Sequence, residues 1–550
     1  MNRFNNIDIT PSSYDYQLLI KQILQAPIAR ASRNEIVYRD QFRYTYPEFV
    51  KRVNRLANLL TGLGAKPGQT IAVLEWDSPR YLECYFAIPM LGCVMQTVNI
   101  RLSPDQILYT LNHAEADLIL VNTDFLPVLE GLKDKLESAK TFVLIDEAGA
   151  KPKSGIHFAG EYETLLAQAS TEFAFPDFDE NTRMSTFYTS GTTGLPKGVY
   201  YSHRQMMLHT LAVAATFGSA PVQGRIHADD VYMAITPMFH VHAWGMPYVA
   251  TLLGLKQVYA GRYTPEMLLQ LLAKENVTYS HCVPTILHML LTHPASKGVD
   301  LSRWKVLVGG SALSLGLARA ALDRGIDVFA GYGMSETGPL QIINHLPTDR
   351  LDGTLDEQAA RRVRTGRPAL LCQVEAVDEQ MQVQPHDGKS TGEIVFRSPW
   401  NTQGYFRNVE TSEELWRGGW MHSGDIGSFA PDGVLQISDR VKDVIKTGGE
   451  WVSSLDIENL ISAHPSVSEV AVIGIKDAKW GERPLALVVL KADHEADAAA
   501  IKTHLCTYAD KGVISKYGVP ETVLFVEALD KTSVGKLDKK LLRVKYQNAD

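Results

Sequence analysis

Between residues 46 and 63, apolar side chains recur every three or four positions, at Phe49, Val50, Val53, Leu56, Leu59, Leu60 and Leu63. That spacing predicts an amphipathic helix, and Gly64 is placed to stop it. An apolar run at 70–75 (TIAVLE) has the mark of a strand buried on both faces, and a second helical pattern covers 79–91. Ser103 before Pro104 predicts a capped helix with proline in its first turn, leading to another buried-strand run at 117–122 (DLILVN). This alternation continues through the first 440 residues and predicts mostly parallel sheets covered by helices. Near Asp439 the pattern changes. A strand-like segment at 441–451 (VKDVIKTGGEW) precedes a helix capped by Ser454 and bearing Leu455, Ile457, Leu460 and Ile461. Strands are expected at 467–475, 483–491 and 521–529, with a helix at 496–509. The expected fold class is α/β: a large N-terminal α/β body of several subdomains, residues 1–439, and a small α+β C-terminal domain, residues 440–550.

Composition narrows the function classes. Hydrophobic residues are 45% and charged residues 21% of 550, which excludes a disordered or collagen-like chain. Lys and Arg number 54 against 62 Asp and Glu, a formal charge of −8 that gives no support for nucleic-acid or anionic-membrane binding. The five cysteines are scattered without metal-type spacing, so reduced thiols in the cytoplasm are expected. The N-terminal MNRFNNIDITPSSYDYQ has no apolar core, so no secretory signal is expected. The longest apolar stretch, 241–255, falls short of the roughly 20 residues a spanning helix needs and is expected to line the core or a pocket.

The segment 188–198 reads Y-T-S-G-T-T-G-L-P-K-G, after a strand-like run and before a helix whose apolar face includes Met206, Met207, Leu211 and Val213. Gly191, Gly194 and Gly198 let backbone N–H groups converge on an anion. The hydroxyls of Thr189, Ser190, Thr192 and Thr193 add donors, and Lys197 adds countercharge. Pro196 before Lys197 and Gly198 after it break the G-x-x-x-x-G-K-[ST] pattern of nucleoside triphosphatases. By composition alone the segment could equally be a surface loop rich in turn formers.

The string TSGTTGLPKG resembles the signature loop of the adenylate-forming superfamily, which includes acyl-CoA synthetases, peptide-synthetase adenylation domains and firefly luciferase. Other motifs follow in the family's order. G-Y-G-M-S-E-T at 331–337 resembles the segment that stacks adenine, which implies that Ala330, Gly331, Tyr332, Gly333 and Ser335 frame the base. The resemblance also implies that Glu336 and Thr189 hold Mg2+. Ser423-Gly424-Asp425 resembles the ribose-binding element, with Asp425 accepting both hydroxyls. Residues 440–446 resemble the interdomain hinge, aligned at Lys442, and Gly448-Gly449 the passage for the CoA thiol arm. Arg440, Lys442, Lys446 and Trp451 are implied nucleotide contacts, and K-T-S-V-G-K at 531–536 places Lys536 as the adenylation lysine. Asp530 stands where the family often has proline.

The resemblance implies a two-step ligase: an acid and ATP give acyl-AMP and pyrophosphate, then CoA gives acyl-CoA and AMP. Lys197, Lys536 and Glu336 would carry catalysis by positioning and charge stabilisation, and the small domain would turn about the hinge between steps. P-M-F-H-V-H-A-W-G at 237–245 looks by itself like a packed strand end with one aromatic, and two histidines without a third ligand make a poor metal site. In the family it borders the acyl pocket and resembles the segment of bacterial medium- and long-chain fatty acyl-CoA synthetases. There the tryptophan matching Trp244 gates the fatty-acid tunnel, with Val241 beside it and His240 at the substrate. Gly309, Gly310 and Ser311 are expected on the far wall and at adenine. A fatty acid is the expected substrate, with a short thioether or aryl acid, or transfer to a carrier protein, as the alternatives. The resemblance also allows a homodimer.

Overall fold

A computed structural model describes residues 7–149, 152–189, 195–440, 442–447, 450–477, 479–492, 494–532 and 535–547. Two large, mostly parallel sheets share one layer of helices. In the nine-stranded sheet, Val231–Ala234, Lys256–Tyr259, Tyr279–Cys282, Lys305–Val308 and Asp327–Gly333 run parallel, and both ends close with antiparallel pairs. In the seven-stranded sheet, Thr70–Leu74 lies between Val94–Thr97 and Ala116–Asn122, and Lys197–Ser202 is the antiparallel edge.

The helix Pro79–Met90 touches strands of both sheets and is buried along its whole length. Its neighbour Tyr46–Gly62 is the amphipathic helix read from the sequence. It buries Phe49, Val53, Leu56 and Leu60 in the same core cluster, each worth about 1.5–3 kcal/mol of transfer energy. Gly64, the residue expected to stop it, follows with φ +92°. Ser103 caps Pro104–His113 in a full capping box with Gln106.

Three local expectations need correction. Residues 373–440 do not continue the strand–helix alternation. Gln373–Val377, Gly392–Arg397, Met421–Phe429 and Leu435–Arg440 form an antiparallel four-stranded sheet. The turn-rich loop after Arg183–Thr189 leads into a second strand, Lys197–Ser202, before the helix His203–Gly218, so the loop tips a hairpin. On that helix Leu211 faces outward, 43% exposed, while Met206, Met207 and Val213 are buried.

Downstream, Ile445–Thr447 and Glu450–Val452 split the expected single strand and join Val467–Asp477, Gly481–Leu490 and Thr522–Phe525 in a five-stranded sheet. Its helix Ser454–Ser462 is capped by Ser453, one residue earlier than expected, because the Ser454 hydroxyl is taken by Asp439 at 2.6 Å. Among the described residues, no helix is long and apolar enough to cross a membrane.

Candidate active site

The sequence motifs gather at the carboxyl ends of the parallel strands, where open sheets leave room for ligands. Lys305–Val308 runs out into Gly309, Gly310 and the exposed Ser311, and Asp327–Gly333 carries Ala330, Gly331, Tyr332 and Gly333. Gly333 admits no side chain, since a Cβ there would stand 1.6 Å from the Pro339 carbonyl oxygen. Asp425 arrives from Met421–Phe429, opposite Arg440 in the antiparallel register. Tyr332 Oη donates to Asp425 Oδ2 at 2.5 Å, and Arg440 Nε lies 3.4 Å from Oδ1. Burial pushes the Asp425 carboxyl up, and Arg440 opposes it.

Lys536 reaches this cluster from the small C-terminal unit. Its loop closes on itself, with Thr532 N donating to Lys536 O at 2.7 Å and Lys536 N to Thr532 Oγ1 at 3.2 Å. Thr285 Oγ1, on the body, donates to the Gly535 carbonyl at 3.1 Å. The lysine lies against Gly310, where a Cβ would be 3.1 Å from Lys536 Cε and 3.8 Å from Nζ. Burial, reinforced by the Arg440 charge, pushes the Lys536 ammonium down to about 8, and Asp425 and Glu336 pull it back up. His240, half-buried, is held down to about 3 by desolvation and then by the Lys536 and Arg101 charges, and stays neutral.

Glu336 is 7% exposed, and its Oε1 accepts from Tyr405 Oη at 2.7 Å. Lys197 Nζ stands 4.7 Å from the centre of the same Tyr405 ring, so one aromatic side chain touches both charged residues. The sequence gives no motif-level signal for Tyr405, or for Thr285. Tyr405 comes to the site through an isolated bridge to Val199. Thr189 pairs with Lys197 at the loop end of the hairpin, and the Ser335 carbonyl accepts from Tyr201 Oη at 2.6 Å. Ser190, Gly191, Thr192, Thr193, Gly194, Gly448, Gly449 and the Trp451 side chain lie outside the described residues. Lys442 is exposed, its ammonium pulled down first by partial burial and then by Arg440. Lys446 belongs to the small unit's sheet, opposite Trp451.

The segment 237–245 departs from the expected strand end. Val241, His242, Ala243 and Trp244 have φ of 48°, 53°, 48° and 59°, and Gly245 follows at 70°. A left-handed turn in non-glycine residues costs about 1–2 kcal/mol per residue. The backbone just before it is pinned on several sides. Asp77 Oδ1 accepts from Met238 N at 2.7 Å, Tyr85 Oη donates to the Met238 carbonyl, and Thr97 Oγ1 donates to the Phe239 carbonyl at 2.9 Å. Burial pushes the Asp77 carboxyl up to about 7.

The turn aims Trp244 into the body, with its ring centroid 5.1 Å from that of His281. A Cβ on Gly309 would lie 3.0 Å from the Trp244 ring and 2.9 Å from the Gly331 carbonyl oxygen. His242 packs edge-on to Phe187 and Tyr85.

The arrangement gathers two ammonium groups and two carboxylates, each bonded by a tyrosine, beside a tryptophan-lined apolar wall. It suits an anionic, aromatic-bearing ligand next to an apolar one. Residues 24–406 match the family model described as AMP-binding enzyme, and residues 456–536 match the AMP-binding enzyme C-terminal domain. A long-chain-fatty-acid–CoA ligase of Thermus thermophilus is 37% identical over 541 residues, 97% of this chain and 96% of the relative. A 3-methylmercaptopropionyl-CoA ligase of Ruegeria lacuscaerulensis is 38% identical over 513 residues, 92% of each chain. Among solved structures, an anthranilate CoA ligase in complex with anthranoyl-AMP superposes with a TM-score of 0.84 at 24% identity, covering 96% of this chain and 98% of that one.

Proposed function

Because this chain belongs to the AMP-binding enzyme family, we propose that it is an AMP-forming acid–CoA ligase that activates a medium- to long-chain fatty acid in the cytoplasm. The acid and ATP form acyl-AMP with loss of pyrophosphate, and the CoA thiol then displaces AMP. The observation that carries this reading is Lys536, brought from the small unit to lie against Gly310 within the field of Asp425 and Glu336.

The roles follow from charge and shape. As the acid attacks the α-phosphate, negative charge grows on the phosphate oxygens, and Lys536 and Lys197 are the cations placed to meet it. Tyr332 and the glycines beside it receive adenine between Ala330 and Ser335. Asp425 exchanges its hydrogen bond from Tyr332 for those of the ribose hydroxyls, with Arg440 and Lys442 beside it. The Glu336 carboxylate and the Thr189 hydroxyl are hard oxygen donors of the kind Mg2+ takes together with phosphate oxygens. When bound, Mg2+ supplies countercharge to the departing pyrophosphate.

Trp244, Val241, His240 and Gly309 border the acyl chain. Neutral His240 adds no charge to the acid's carboxylate. For the second step the small unit turns about Lys442, withdrawing Lys536 and presenting Gly448-Gly449 to the thiol.

The thioether-acid ligase relative, as similar as the fatty-acid one, favours a second reading in which the pocket takes a short sulfur-bearing acid. CoA-dependent AMP release, measured across acids from C4 to C18 with 3-methylthiopropionate and benzoate included, separates the two. Best turnover with C6–C16 acids supports the fatty-acid reading, and best turnover with 3-methylthiopropionate replaces it. Pyrophosphate release without thioester would remove CoA as the acceptor.

A further inference from the structure

A cleft of about 640 Å3 opens against the outer face of the hairpin Arg183–Thr189 and Lys197–Ser202, lined along one side by residues 399–412. It runs along the hairpin from Arg183 and Ser202 at one end to Tyr405, whose ring also meets Lys197, at the other. Arg183 pairs with Ser202 and Thr189 with Lys197, so six residues, about 20 Å of strand, separate the Arg183 end from Thr189. Its described lining holds Arg183, Arg204 and Arg407 and no acidic side chain.

Two of these arginines are answered elsewhere. Arg204 meets Glu180 at 2.6 Å and Arg407 meets Glu115 at 2.7 Å. Arg183 has no carboxylate partner among the described residues. Its guanidinium lies over the Phe406 ring at 4.4 Å, and Arg407 lies 5.0 Å from that same ring. Partial burial and the Arg407 charge both disfavour the Arg183 cation, which still keeps its proton at neutral pH. Glu115, bonded to Arg407, favours the Arg183 cation from a distance, but among the described residues no carboxylate bonds this half-buried guanidinium, which faces a ligand-sized cleft.

We propose that this cleft is a second anion site that binds a phosphate group through the Arg183 fork, with Arg204 and Arg407 at its rim. A phosphate offers more charge and more acceptor oxygens than a carboxylate to three guanidiniums, and the planar fork matches it in bidentate geometry. The site is linked to the nucleotide side through its own wall. Tyr405 lines the cleft and donates to Glu336 at 2.7 Å, and Phe406 N donates to the Gly198 carbonyl at 2.7 Å.

Equilibrium dialysis of the full chain against radiolabelled orthophosphate tests this, using the unchanged protein, Arg183→Gln, Arg183→Lys and Lys197→Ala. The expected result is at least a tenfold loss of affinity in Arg183→Gln and a clear loss in Arg183→Lys, which keeps the charge over Phe406 but not the fork. Lys197→Ala should retain the Arg183-dependent binding. Competition by glycerol 3-phosphate distinguishes a phosphate monoester from free phosphate as the natural source. Phosphate binding that survives in Arg183→Lys unchanged, or that is lost only in Lys197→Ala, overturns the site. Malonate binding more tightly than phosphate overturns the phosphate assignment. If Arg183→Gln does not fold, Arg183→Lys decides alone.

Discussion

On the side proposed to take the nucleotide, Tyr332, Asp425, Arg440 and Lys536 come from separate elements and meet through charge and hydrogen bonds. On the side proposed to take the acid, Val241, Trp244 and Gly309 meet through shape: a left-handed turn, a buried indole and a glycine with no room for a methyl group. Polar chemistry requires particular side chains at particular places, so it leaves strings in the sequence. A wall made of shape requires only volume and backbone angle, and many sequences can supply those. The specificity of such an enzyme is therefore written where its sequence is least explicit.

The largest expected effect breaks the nucleotide side alone. Lys536→Ala removes a cation aimed at developing phosphate charge, and acid-dependent AMP release should fall about 10²–10³-fold. An unchanged melting temperature would show that the chemistry, not the fold, was lost. Asp425→Ala removes an acceptor of charged hydrogen bonds worth about 1.5–3 kcal/mol each, so the KM for ATP should rise about 10- to 100-fold with the KM for the acid little changed. Trp244→Ala should do the reverse. It changes the order of preferred acids by about tenfold, the scale of a pocket losing or gaining a few methylenes, and leaves the KM for ATP alone. Equal shifts in both constants for either variant would collapse the distinction between the two walls.

The smallest effect is in pH. With Lys536 held down to about 8, its ammonium is complete at pH 6–7, half lost near 8 and scarce above 9. The free-enzyme kcat/KM should therefore fall as pH rises through about 8, and Lys536→Arg should move that fall upward. His240, neutral throughout this range, contributes no second limb there.

The same contrast explains what the sequence disclosed. The helix Tyr46–Gly62 and its Gly64 stop, the Ser103 cap and the buried Thr70–Leu74 strand were legible because period, cap and burial are local properties. Tyr332, Asp425 and Lys536 stood out through their motifs, and the fold brings them together. The antiparallel sheet of residues 373–440 was not legible, because its strands also read as part of an alternating pattern and only their mutual pairing defines it. Tyr405 was missed because its role depends on a partner 69 positions away. The turn at Val241–Trp244 was read as a strand end because a β-branched residue gives no warning of positive φ. The hydrogen bonds that hold the backbone just before it come from Asp77, Tyr85 and Thr97, far upstream.

The central claim is that Lys536 serves the first of two steps and is withdrawn for the second. The most direct measurement follows both half-reactions in Lys536→Ala: acid-dependent exchange of pyrophosphate into ATP, and thioester formation from CoA and preformed acyl-AMP. The account predicts exchange reduced at least a hundredfold, with thioester formation within a few-fold of the unchanged enzyme. Equal loss in both half-reactions, or exchange that survives, would contradict it.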